Sequence, residues 1–155
     1  MRIDFYHLQK SLPEDVVFLL ASKVYDSGKK LLIRTDTAER MRHLNEQLWT
    51  LRPDSWLPHG SVENNFAGQQ PVYLTSGTEN PNNAEFLLLI NVTDIAACPS
   101  FERTLFVFDG NDEAVLNQAR AFWKEIVARP DGEAHYWAQN SSGKWEEKAS
   151  AGQKS

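Results

Sequence analysis

The chain has 155 residues, 41% hydrophobic and 11% aromatic, which is enough for one domain with a real core. Its formal net charge of -5 excludes a general grip on nucleic-acid phosphates, which needs a net-basic stripe, so any anion site must be local. A single cysteine, Cys98, excludes a disulfide framework and a cysteine-built zinc site, and it fits a reducing compartment such as the cytoplasm.

The opening residues MRIDFYHLQK hold no long apolar run, so no signal peptide is expected. No segment has the roughly 20 apolar residues that cross a bilayer, so no membrane association is expected. IDFYHL (3–8) reads as a first strand. LPEDVVFLLASKVYDSG (12–28) reads as a helix. Pro13 suits its first turn, Glu14 and Asp15 suit its positive end, and Gly28 suits its C-terminus. Val16, Leu19, Leu20 and Val24 mark its apolar face.

KKLLIRT (29–35) is a second strand, and Asp36 with Glu39 reads as a cap for a helix over 37–51. Met41, Leu44, Leu48 and Leu51 face inward on that helix. A loop follows over 52–70, then the strand PVYLTS (71–76), a turn at 77–83 and the strand FLLLINV (86–92). The short connection between those two strands allows antiparallel pairing, which would make the sheet mixed. Residues 94–103 read as irregular or a short helix, and TLFVFDG (104–110) as a buried strand. GNDEAVLNQARAFWKEIVAR (110–129) is a helix capped by Asn111 or Asp112. HYWAQN (135–140) reads as an edge strand, and the polar residues after Trp145 as a frayed tail. Alternating strands and helices predict a three-layer α/β sandwich with a mainly parallel sheet in one domain over 1–147, and a disordered tail over 148–155.

Such a sheet invites nucleotide binding, yet neither G-x-G-x-x-G nor G-x-x-x-x-G-K-[ST] occurs. Asp109 follows a central strand. It either contacts a ribose or metal at the strand ends, making this a small nucleotide-binding or enzymatic protein, or forms a turn and cap with Gly110 and Asn111. The favoured reading is the turn. His7, His43, His59 and His135 form no metal-binding spacing, His7 reads as a packed, hydrogen-bonded strand residue, and Cys98 as an inert thiol. No catalytic residue, metal site or cofactor is expected.

Five tryptophans are generous for this length. Trp49 and the loop residues Trp56, Leu57 and Pro58 read either as half-buried packing or as an interface anchor. On the helix over 110–129, Val115, Ala119, Phe122 and Ile126 form the sheet-facing stripe. Leu116, Arg120, Trp123 and Val127 form the neighbouring one, with Lys124 beside it. Arg120, Trp123 and Lys124 admit two readings. In one, Trp123 covers the core edge and the cations are solvated or paired with acids such as Glu125. In the other they form a pocket for an anion joined to an apolar group, such as an acidic peptide ending in an aromatic residue.

FYHL, YDSGKKLLIRT, LNEQLWTLRPDSWLPHG, PVYLTS, FLLLIN, FVFDGNDEAVLNQARAFWKEI and YWAQNSSGKW together resemble the chi-subunit family of bacterial DNA polymerase III, an accessory protein of the clamp loader. The resemblance implies a Rossmann-like fold and a non-catalytic adaptor. It implies two protein partners: the acidic, Phe-ended C-terminal tail of single-stranded-DNA-binding protein, and the psi subunit, which links chi to the clamp loader. DNA would be reached only indirectly. Carried over, the tail-binding positions fall on Arg120, Trp123 and Lys124. Tyr is common at the Trp123 position, so the aromatic floor is kept without the phenol hydroxyl. The psi-facing region falls on Trp49, Trp56, Leu57 and Pro58, with Phe known at position 56. Another clamp-loader subunit or a helicase is the alternative partner there.

Overall fold

The computed structural model describes residues 1–9, 11–50, 60–61, 71–80 and 83–152, with side chains described except at 48–50 and 60–61. The described residues form eight strands and three helices. The strands are β1 (Arg2–Leu8), β2 (Leu31–Thr35), β3 (Gly60–Ser61), β4 (Val72–Thr75), β5 (Phe86–Ile90), β6 (Arg103–Asp109), β7 (Glu133–Gln139) and β8 (Trp145–Gly152). The helices are α1 (Pro13–Asp26), α2 (Ala38–Thr50) and α3 (Glu113–Val127), and a 3₁₀ turn at Cys98–Ser100 lies in the irregular 94–103 segment.

Local chemistry accounts for the helix ends. Pro13 opens α1. At its C-terminus the Gly28 N–H donates to the Tyr25 carbonyl at 3.0 Å, and the Lys29 N–H to that of Val24 at 3.3 Å. This Schellman-type closure places Gly28 at φ +80, which glycine adopts freely. The cap of α2 is Thr37, not Asp36. Its hydroxyl accepts from the Arg40 N–H at 3.1 Å, while Asp36 pairs with the Arg40 side chain at 2.6 Å. Asp112 caps α3 by accepting from the Ala114 and Val115 N–H groups.

The sheet runs β3-β4-β2-β5-β6-β1-β7-β8. Every pairing is parallel except β7 with β8. It is therefore mixed, but not for the expected reason. β4 and β5 are not neighbours, because β2 lies between them and pairs in parallel with both. The antiparallel element comes from the supposed tail. Asn140 Oδ1 accepts from the Ser142 and Lys144 N–H groups at 2.9 and 3.0 Å, closing a turn that brings residues 145–152 back along β7. Residues 148–152 thus belong to a strand, β8 forms the edge, and β7 lies inside the sheet.

Alternation along the strands splits the core in two. Tyr6, Leu8, Ile33 and Val107 face α1 and α2, while Phe5, Phe106 and Phe108 face α3. On α1 the buried residues are Val16, Val17, Phe18, Leu20, Ala21 and Val24. Leu19, expected inside, is 39% exposed. Met41 and Leu44 are buried as expected; Leu48, as a side chain, and Leu51 lie outside the described residues. No helix among the described residues is long and apolar enough to cross a membrane.

Candidate functional site

Apolar periodicity on α3 resolves into two stripes. Ala119, Phe122 and Ile126 are buried against the sheet. One residue further round the helix, Leu116 and Trp123 are half-buried while Arg120 is exposed, as is Lys124 beside them. This second stripe overhangs β1 and β7, and between them opens a cleft of about 420 Å³. Its lining joins Arg120, Trp123 and Lys124 to Phe5, His7 and Tyr136.

The walls are aromatic because of strand register. Phe5 and Tyr136 are Cα partners across the parallel β1–β7 pair, so their rings lie on the same face, centroids 6.5 Å apart and stacked. Trp123 meets Phe5 edge-on at 5.3 Å and Tyr136 at 6.2 Å. Such ring pairs contribute about 0.5–1.5 kcal/mol each beyond their buried area. Trp123 is therefore fixed in place, yet it keeps a face towards the cleft. Trp123 packs on the core edge as the first reading has it, and it also lines the cleft.

At the head of the cleft the His7 Nδ1 is hydrogen-bonded to the Tyr136 hydroxyl. Burial lowers the His7 pKa, opposed by the nearby Asp109 carboxylate. Burial raises that of Tyr136, opposed by the Arg120 charge. Both side chains are therefore neutral at pH 7. A neutral imidazole and a phenol can each donate or accept in this bond. Nε2 is buried with no hydrogen-bond partner among the described residues, against Gly110, where a Cβ would come within 1.7 Å of it.

The cations are held loosely. The only side-chain contact of Arg120 among the described residues is a long one to Asn117 Oδ1, at 3.5 Å. Neither Arg120 nor Lys124 forms an ion pair among the described residues. Two exposed cations over an apolar floor suit an anionic group attached to an aromatic one.

The sequence pattern does not place Phe5, His7 and Tyr136 at this cleft. The FYHL and HYW stretches each place an aromatic on alternate faces, but only the register brings the two together. Asp109 holds a turn: it accepts from the Asn111 N–H at 2.9 Å, and the Asn111 side chain donates to the Gln9 carbonyl at 2.9 Å. Cys98 is buried and donates to the Asp94 carbonyl at 3.3 Å, and burial pushes its thiol pKa up. Among the described residues no group of three or more His, Cys, Asp or Glu side chains forms a metal site. The backbone of Trp49 lies on α2, but its side chain lies outside the described residues, as do Trp56, Leu57 and Pro58.

Residues 1–130 match the family model described as DNA polymerase III chi subunit, HolC. A Rickettsia prowazekii protein named "Probable DNA polymerase III subunit chi" is 34% identical over 69% of this chain, and the match spans 65% of that protein's own length. The DNA polymerase III subunit chi of Haemophilus influenzae is 28% identical over 73% of this chain and 78% of its own. That of Pseudomonas aeruginosa is 25% identical over 66% and 72%. With a family match over most of its length, the chain belongs to the chi-subunit family of DNA polymerase III.

Proposed function

We propose that the chain is a non-catalytic adaptor of the replicative DNA polymerase III holoenzyme, acting in the cytoplasm. It holds the acidic C-terminal tail of single-stranded-DNA-binding protein at the α3 cleft and links it to the clamp loader through psi. The observation that carries this reading is the pairing of two cations in no ion pair among the described residues, Arg120 and Lys124, with the aromatic floor of Phe5, Trp123 and Tyr136. A terminal phenylalanine ring packs on that floor, and burying it contributes about 2–3 kcal/mol. Arg120 takes the terminal carboxylate in a bidentate contact, and Lys124 takes an acid before it. The cleft, at about 420 Å³, is at the small end of ligand sites, which run from roughly 300 to 1,000 Å³. A net charge of -5 is no obstacle, because single-stranded DNA is reached through the partner.

Titration with a synthetic acidic peptide ending in Pro-Phe gives saturable binding in the micromolar range, weaker at high salt. In the Arg120→Ala/Lys124→Ala double variant the affinity read at Trp123 falls at least about tenfold, the equivalent of one lost charge-assisted contact. Unchanged affinity in that variant removes the assignment. The link to psi rests on the family resemblance at Trp49, Trp56, Leu57 and Pro58. Co-purification of native complexes with and without Trp56→Ala tests it, and recovery of a helicase instead of a clamp-loader subunit changes the partner.

A further inference from the structure

The opposite face of the sheet carries a second cleft, of about 460 Å³. Helix α1 packs over β6 and β2, and α2 over β2 and β4. In the sheet order β7 and β8 lie beyond β1, past the edge of α1. There Tyr6 stacks on Trp137 at 6.3 Å and meets Trp145 edge-on at 5.4 Å. Leu19, exposed on α1, forms the facing wall, and Lys23 and Arg103 complete the lining.

The polar part of this cleft is built rather than incidental. Asp4 is fully buried beneath it. It accepts hydrogen bonds from Arg103, from Arg2 at 3.2 Å and from Trp137 Nε1 at 3.1 Å. One carboxylate thus fixes both Arg103 and Trp137. Burial and the Asp4 charge push the Tyr6 hydroxyl up to about 12, so it stays neutral. Lys23 is exposed and in no ion pair among the described residues. Arg2 pairs with Glu133 as well as with Asp4, while the described residues that line the cleft include two cations, Lys23 and Arg103, and no carboxylate.

We propose that this cleft is a second docking site, for an acidic peptide segment carrying an aromatic side chain, separate from the α3 cleft. Charge complementarity selects the occupant. A purely apolar partner would strip water from Lys23 and Arg103 and return nothing. A second copy of the chain brings a net charge of -5 against another -5. A nucleic-acid strand would run its phosphates over an acidic surface. An acidic segment instead pairs with both cations while its ring fits between Leu19 and Trp145. Tyr136 and Trp137 are consecutive residues lining opposite clefts, so the two sites lie on opposite faces of the sheet.

Titration of the full chain, ¹⁵N-labelled, with the synthetic acidic peptide ending in Pro-Phe tests this through the tryptophan indole N–H signals. The Trp123 signal reads the α3 cleft, and those of Trp137 and Trp145 read the second. In the Arg120→Ala/Lys124→Ala variant the Trp145 signal still shifts with saturation. Lys23→Glu, an exposed substitution that leaves folding intact, weakens binding read at Trp145 about tenfold and leaves the Trp123 curve unchanged. Silence at both Trp137 and Trp145 while Trp123 responds overturns the second site and leaves the adaptor reading standing. So does a Trp145 curve indifferent to Lys23→Glu. A response at Trp145 with none at Trp123 supports the second site and removes the first.

Discussion

Gly110→Ala tests the coupling between the turn after β6 and the α3 cleft. A Cβ at position 110 lies 1.7 Å from His7 Nε2 and 2.0 Å from Cδ2, whereas ordinary contact begins near 3.4 Å. The cost is steric, not torsional, because Gly110 is not at positive φ. His7 must retreat by more than an ångström, but its ring is hemmed by Phe108 at 5.2 Å and Tyr136 at 5.8 Å. Overpacking of this kind costs about 1–3 kcal/mol, and loss of the His7–Tyr136 hydrogen bond adds about 1 kcal/mol. A total of about 3 kcal/mol lowers Tm by roughly 6–12 °C for a domain of this size. Because Tyr136 is a wall of the cleft, affinity for the acidic peptide falls in the same variant. Thermal and denaturant unfolding of Gly110→Ala, His7→Ala and the double variant form the assay. Without the imidazole the clash disappears, so Gly110→Ala costs much less in the His7→Ala background. The reasoning is refuted if Gly110→Ala is tolerated within about 0.5 kcal/mol, or if its cost is the same in both backgrounds.

Three other outcomes are expected. Asp112→Ala removes the side-chain acceptor for the Ala114 and Val115 N–H groups, and denaturant titration should find a loss of about 1 kcal/mol. Asp4→Asn leaves Arg2 and Arg103 without their buried counter-charge. It costs about 3 kcal/mol, the lower end for breaking a buried pair because both arginines are partly exposed, and it loosens Arg103 at the second cleft. His135 loses solvation on burial but is hydrogen-bonded to Glu133 and Glu147, and the net effect raises its pKa above 6.5. Its stabilising contribution is fully present below pH 6.5 and is lost as pH rises through the folded-state value. His135→Gln should therefore reduce the denaturant midpoint at pH 6 and much less at pH 9; an equal loss at both would contradict this.

Much of the fold was legible because it rests on local chemistry. Pro13, Gly28 and Asp112 act within a few residues of their own positions. The 3.6-residue period of Ala119, Phe122 and Ile126 is a property of one helix in contact with one surface. The choice of cap for α2, Thr37 over Asp36, turned on side-chain directions that residue type does not specify. Leu19 was expected inside from spacing alone, but it lines the open cleft beside Trp137 and Trp145 instead of the closed core.

The site divides in the same way. Arg120, Trp123 and Lys124 share a helix face whatever surrounds them, so the sequence by itself determined that a cationic, aromatic stripe borders the core. It also determined the family and the α/β class, since motifs and alternation are written along the chain. The tertiary structure alone decided that the stripe overhangs a cleft. Phe5 and Tyr136 are 131 residues apart and meet only through parallel register, and His7 fits there only because position 110 lacks a Cβ. It also decided that β2 separates β4 from β5 and that residues 145–152 form an edge strand. Strand order and register depend on which distant backbones share hydrogen bonds, and no local pattern of residue types records that choice.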